Sequence, residues 1–306
     1  MKFSAKMQKH LIDFKENIQY IPATNERKKW EYLEVTDNLY PPIRHGFMQY
    51  AYDASVSFHD YARHVRSSQV FGFNIIYPLL TDINMREALV NRLVSVKGEI
   101  DQWKFEYQSK KDYLGEWQGP NQPIDYITSV DFAIFVTNNK GKRIAILTEV
   151  KFTEEEFTGC GGYKSNGNKN KRFCSEFFDI NRVNSECYLT ANKGRKYFQL
   201  IEGIFYQDKW SRCPFIRNNQ CMRNHALAKA LIKNDMVDEA YFGLVFHDDN
   251  KSIIKEWESY KSMCTESEKD FLYEVKASEL ISCSSEYTYR KYLGDRYQLK
   301  TDVKNH

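Results

Sequence analysis

The sequence predicts an α/β (α+β) fold, with a central mixed β-sheet flanked by helices and helical decorations at both ends. Three observations lead there. Apolar residues recur at helical spacing between His59 and Val94, two long β-prone runs then meet at a tight turn, and helical segments alternate with one further strand in the last third. The 306 residues suffice for a large core, and 42% hydrophobic with 28% charged residues excludes the disordered and membrane-spanning classes. No repeat and no Gly/Ser/Pro linker divides the chain, so one domain over residues 1–306 is expected, with its core at about 59–250.

Residues 1–58 form an N-terminal extension, in which "KENIQYIPATNERKKWEYLEV" and the Pro41–Pro42 turn predict irregular structure with a short helix. From His59 to Leu80 "HDYARHVRSSQVFGFNIIYPLL" has helical spacing up to Pro78, and "NMREALVNRLV" predicts a second helix. "EIDQWKFEYQS" alternates as a strand through Trp103, Phe105 and Tyr107, and a loop follows in "DYLGEWQGPNQP". "DYITSVDFAIFVTN" and "KRIAILTEVKF" make a hairpin around Asn138–Gly141. Helices are expected in "NKGRKYFQLIEGIF" and "NNQCMRNHALAKALIKN", a strand in "EAYFGLVFH", and a helical portion over 251–306 that ends near "YTYRKYLGDRYQL".

The hairpin carries the chemistry. A turn centred on Asn139–Lys140–Gly141 pairs residues whose numbers sum to about 280, which sets Asp131 opposite Glu149. Like charges directly opposed are destabilising without a counterion. Lys151 shares the face of Glu149 by the period of two, while Val150 and Phe152 point into packing. Two carboxylates and a backbone carbonyl suit a hard cation such as Mg²⁺, and a lysine beside them suits phosphodiester hydrolysis. The plainer alternative is a strand end toward solvent with a weak exposed charge pair. Against it, both acids interrupt strongly apolar strands.

"SVDFAIFV", seventeen intervening residues and "ILTEVKF" resemble the PD-(D/E)XK nuclease superfamily, with Val130 where the nominal proline stands. The resemblance covers about residues 59–250. It implies a restriction-endonuclease-like core, a metal-dependent (Mg²⁺ or Mn²⁺) nuclease, an endonuclease acting on DNA or RNA, and catalysis by Asp131, Glu149 and Lys151; the basic loop next to the hairpin favours DNA. Asp131, Glu149 and the carbonyl of Val150 would hold the metal. "RSSQVFGFNIIYPL" and "NQCMRNHALA" are similar to segments of a bacterial restriction-endonuclease-like branch. They add Gln69 and Asn74, with Glu87 and Glu106, as second-tier active-site candidates beside the plainer reading of solvated faces.

For nucleic-acid contacts, the acid-free loop Phe157–Ser175 supplies Lys164, Lys169, Lys171 and Arg172 six residues beyond Lys151, and its plain alternative is a solvated surface loop. Gln220, Arg223 and Asn224 lie close together on one helix and offer groups that read base edges. His225 has no partner at metal-ligand spacing and reads as structural. A net charge of +3 is too small to argue either way. Two alternatives stay open: a non-catalytic nucleic-acid-binding module on the same fold, and a zinc or iron–sulfur protein organised by Cys160, Cys174, Cys187 and Cys213. Seven cysteines without a CxxC pair, and no signal-peptide pattern, predict reduced thiols and a cytoplasmic setting. One active site per chain would require a homodimer, or two events, to cut both strands. Restriction, phage defence and repair are all compatible with these residues.

Overall fold

The computed structural model describes residues 2–17, 31–117, 127–206 and 210–300. Most of "KENIQYIPATNERKK" and the second half of the "DYLGEWQGPNQP" loop lie outside the described residues. The elements run α1 (Phe3–Asn17), α2 (Val35–Asn38), α3 (Arg44–Asp53), α4 (Ser68–Thr81), α5 (Ile83–Val94), β1 (Gly98–Tyr107), β2 (Val130–Asn138) and β3 (Arg143–Lys151). Four short helices follow: α6 (Gly161–Lys164), α7 (Lys171–Ser175), α8 (Val183–Glu186) and α9 (Tyr197–Leu200). The long α10 (Phe215–Lys233), β4 (Glu239–Phe246), α11 (Lys251–Lys261), α12 (Glu266–Lys269), β5 (Leu272–Lys276), α13 (Ala277–Ile281) and α14 (Tyr287–Tyr297) complete the chain.

The five strands form one mixed sheet in the order β1-β2-β3-β4-β5, antiparallel from β1 to β3 and parallel from β3 to β5. β3 is the central strand and is buried from Ile144 onward, as a strand covered on both faces must be. Alternate residues split between two cores. Ile144, Ile146 and Val150 pack with Leu11, Phe47, Phe71 and Leu293 of the terminal and early helices, while Ala145 and Leu147 pack with Leu227, Leu231 and Trp257 of α10 and α11. Glu149 and Lys151 continue the second set and so face α10.

Four sequence expectations change. The helix expected from His59 begins at Ser68, because the Ser67 side chain accepts a hydrogen bond from Val70 N at 3.2 Å and caps it there. The segment "NKGRKYFQLIEGIF" shrinks to the single turn α9, between Gly194 and Gly203, both in the left-handed region. The portion 251–306, expected to be helical, contributes β5 to the sheet. The described residues of the N-terminal extension join the fold, with Met7, Leu11, Leu33 and Phe47 buried in the first core.

Gly243 on β4 pairs with Tyr273 on β5, whose ring lies flat against the bare α-carbon; an added Cβ would stand 2.5 Å from the ring. Gly243→Ala is expected to destabilise the protein by about 1–3 kcal/mol, the usual cost of overpacking. A lowered urea midpoint at unchanged m-value would show it, and an unchanged midpoint would contradict it.

Candidate active site

The hairpin register is the one its turn dictates. Phe132 pairs with Thr148 and Ile134 with Ile146, so one further step sets Asp131 across from Glu149. Asp131 Oδ2 accepts a hydrogen bond from Val150 N at 2.6 Å, which ties the first acid to the backbone between Glu149 and Lys151. Lys151 Nζ lies 2.8 Å from Glu149 Oε1, with the two side chains 9% and 2% exposed. A charge pair that far out of water must be well hydrogen-bonded to persist.

Helix α10 supplies those bonds. Gln220 Nε2 donates to Glu149 Oε1 at 2.6 Å and Asn224 Nδ2 donates to Oε2 at 2.8 Å. Spaced i and i+4, the two amides share one helix face. Non-helical angles at Asn218 kink the helix just before them, and Gln220 also exchanges bonds with the backbone of Thr158, its N donating to Thr158 O and its Oε1 accepting from Thr158 N. The segment leaving β3 is thereby pinned to the helix that holds Glu149.

On the opposite side stands Glu106, between the pairs Phe105–Phe132 and Tyr107–Val130, so that β1 brings it alongside Asp131. Its φ of 50° is unusual for a non-glycine residue inside a strand, a local cost that the surroundings must hold in place. They do so through a closed ring of contacts. Gln69 Nε2 donates to Glu106 Oε1 at 2.8 Å, Gln69 Oε1 accepts from His59 N at 3.0 Å, and His59 Nε2 lies 3.4 Å from Glu106 Oε2. Ser129 Oγ adds a donor to Glu106 at 3.3 Å. A narrow crevice between these groups is lined by Ser68, Gln69, Gly72, Glu106, Asp131 and Val150.

Charge is unevenly balanced across this crevice. Burial first, then the neighbouring carboxylates of Glu149 and Glu106, raise the Asp131 carboxyl well above its ordinary range. Burial pulls the Lys151 ammonium down, but Glu149, Glu154 and Asp131 together outweigh it and raise it above the usual lysine value. The imidazole of His59 is raised chiefly by its bond to Glu106. The site thus favours the charged form of Lys151 and disfavours that of Asp131, whose burial and two neighbouring carboxylates outweigh the pull of Lys151.

Among the second-tier candidates, the structure brings Gln69 and Glu106 to this site and places the other two elsewhere. Asn74 is buried in the first core, accepting from Tyr40 N and donating to Asn38 O and Tyr297 OH. Glu87 is exposed on α5. Gln220 and Asn224 bind Glu149 directly, and Arg223 donates to Thr128 Oγ1 at 2.9 Å beside buried Glu116. Lys164, Lys169 and Arg172 are exposed on the loop after β3, Arg172 paired with Glu176 at 2.8 Å, while Lys171 is half-buried. His225 bonds Tyr260 OH at 3.0 Å and Glu268 at 2.7 Å, a buried structural network. His59 was not singled out in the sequence, since it sits in a turn and reaches Glu106 only through the fold.

All seven cysteines are free thiols. Among the described residues no three His, Cys, Asp or Glu side chains are grouped to hold a metal ion, so the geometry does not support the four-cysteine alternative. The hairpin offers a smaller donor set. Asp131 Oδ1 accepts no hydrogen bond among the described residues, and Glu149 Oε2 accepts only one. These hard carboxylate oxygens, together with the carbonyl of Val150, suit a magnesium-like ion that keeps most of its waters.

The helix-flanked mixed sheet, with Asp131, Glu149 and Lys151 gathered where β2 begins and β3 ends, is consistent with a nuclease-like protein of restriction-endonuclease-like architecture. A family model matches residues 5–298, and the chain belongs to that family, described as a restriction endonuclease associating with ARP. No curated protein and no solved structure matches it. No helix among the described residues is long and apolar enough to cross a membrane.

Proposed function

We propose that this chain is a Mg²⁺-dependent nuclease of the PD-(D/E)XK type that hydrolyses phosphodiester bonds in DNA. The observation that carries the reading is the meeting of Asp131, Glu149 and Lys151 where β2 begins and β3 ends. Asp131, Glu149 and the carbonyl of Val150 would hold the divalent ion. When bound, that ion supplies a water acidified for attack and offsets charge gathering on phosphorus.

The chain's own residues do the rest. Glu149, Glu154 and Asp131 hold the Lys151 ammonium above the usual lysine value, and that ammonium would orient the attacking oxygen and stabilise negative charge in the transition state. Gln220 and Asn224 fix the Glu149 carboxylate in one orientation, which leaves the remaining Oε2 lone pair for the ion. Gln69 and His59 steady Glu106 at the crevice wall. The exposed lysines of the loop after β3 would neutralise flanking phosphates.

Removing the metal tests this reading. Purified protein is expected to cut linear or plasmid DNA with Mg²⁺, to stop when EDTA is added and to resume when Mg²⁺ is restored in excess. Cleavage that continues in EDTA would contradict it. Asn224→Ala is expected to lower the single-turnover rate about 10–100-fold, as loss of an outer partner of a metal-holding residue does. An unchanged rate would mean that the Asn224 bond to Glu149 does not matter to the chemistry.

A further inference from the structure

A second concavity adjoins the crevice. It has a volume of about 510 Å³ and is lined by His59, Tyr61, Arg66, Ser68, Thr153 and Glu154, among others. Ser68 lines both this cleft and the crevice holding Asp131, so the two share a wall. His59 stands at the join, in contact with Glu106. On the other wall, Thr153 and Glu154 follow Lys151 by two and three residues. A strand whose scissile phosphate lies at Asp131 and Glu149 can reach this cleft with its next nucleotide, past His59 and along the segment that follows Lys151.

The chemistry of the walls suits that occupant. The two acids in the cleft are already engaged: Glu154 Oε2 accepts from Phe152 N and Thr153 N, both at 2.9 Å, and Glu31 faces His64 and Gln8 at 3.3 and 3.0 Å. Arg66 has no ion-pair partner among the described residues, and its Nε is buried without a hydrogen bond. Tyr61 holds its ring 70% exposed at the rim, where an aromatic side chain gains nothing from the core. A cation without an ion-pair partner among the described residues and an open aromatic ring, both on the walls of one cleft, make a combination that binds a phosphate and stacks a base. The volume falls within the range of small-molecule sites, enough for one nucleotide. A base paired inside a duplex could not enter such a pocket without leaving its stack.

We infer that this cleft receives one unpaired nucleotide next to the scissile phosphate, with Arg66 and His59 on its phosphate and the Tyr61 ring on its base. The substrate is then DNA with a single-stranded stretch or an extruded base at the cutting point, rather than uninterrupted duplex. This rests on the nuclease reading above and adds its substrate class.

Binding tests it independently of cleavage. Fluorescence anisotropy in EDTA would compare a labelled single-stranded DNA oligonucleotide with a blunt duplex of the same sequence, for the full chain and for Tyr61→Ala and Arg66→Ala. Tyr61 is exposed, and a thermal melt would check that each variant is folded. The wild type is expected to hold the single strand about tenfold more tightly than the duplex, the order of one base–aromatic stack. Each variant is expected to lose about that factor on the single strand and little on the duplex. Equal wild-type affinities, unchanged single-strand affinity in Tyr61→Ala, or tighter retention of an RNA strand of the same sequence would each overturn the inference. Strand retention without any Mg²⁺-dependent cleavage would sink the nuclease reading and leave the cleft standing. Cleavage by the wild type that Tyr61→Ala and Arg66→Ala leave unaltered on every substrate would do the reverse.

Discussion

Asp131→Asn is expected to abolish cleavage and, in the same protein, to raise the melting temperature. Asp131 lies across from Glu149 and beside Glu106, and burial and these two like charges all oppose its ionisation. An amide of the same shape keeps the bond from Val150 N through its oxygen and can donate its NH₂ toward Glu149, turning a repulsion into a hydrogen bond. Relief of that repulsion is expected to add about 0.5–2 kcal/mol, the range seen when a functional site gives up its strain, or a few degrees in a chelator-treated melt. The sign with pH follows from linkage. The folded wild type holds the Asp131 proton more readily than the unfolded chain, so its penalty applies above the raised folded value and is relieved as pH falls through it. The gap in melting temperature between variant and wild type should therefore narrow on acidification. A variant that melts lower than wild type at neutral pH would contradict the electrostatic account of the site.

Lys151→Ala is the converse case, expected to cost both activity and stability. Glu149 keeps its two amide donors but loses the Lys151 ammonium, its cationic partner at 2.8 Å, and is left buried opposite a second carboxylate. Removing one member of a buried ion pair costs about 3–5 kcal/mol. The single-turnover rate is expected to drop by about 10²–10³, the scale of losing one preorganised charge-stabilising group. Lys151→Gln, which keeps a donor but no charge, should recover part of the stability and little of the rate. Full cleavage by either folded variant would remove Lys151 from the proposed mechanism.

The contrast between these variants shows what could be read in advance. The hairpin was legible because a short turn sets register by itself, and because two acids interrupting apolar strands must share a face when their numbers sum to 280. The helices α4, α5 and α10 followed from apolar spacing. The fifth strand was hidden: "LYEVK" is five residues long between two helical segments, too short for alternation to outweigh its surroundings. The site was half hidden for a different reason. Gln220 and Asn224 were visible as polar residues on an apolar helix, but whether they meet substrate or Glu149 depends on which sheet face α10 covers. The ring of His59, Gln69 and Glu106 rests on a left-handed residue within a strand, a conformation that no pattern of side chains announces.

The most direct test of the central claim is the single-turnover rate at which freshly purified protein cuts end-labelled DNA with Mg²⁺, measured beside Asp131→Asn in the same buffer. The substrates should include a duplex with a single-stranded overhang. The geometry of Asp131, Glu149 and Lys151 predicts cleavage by the wild type and none above background by the variant. Equal rates from the two proteins would contradict it.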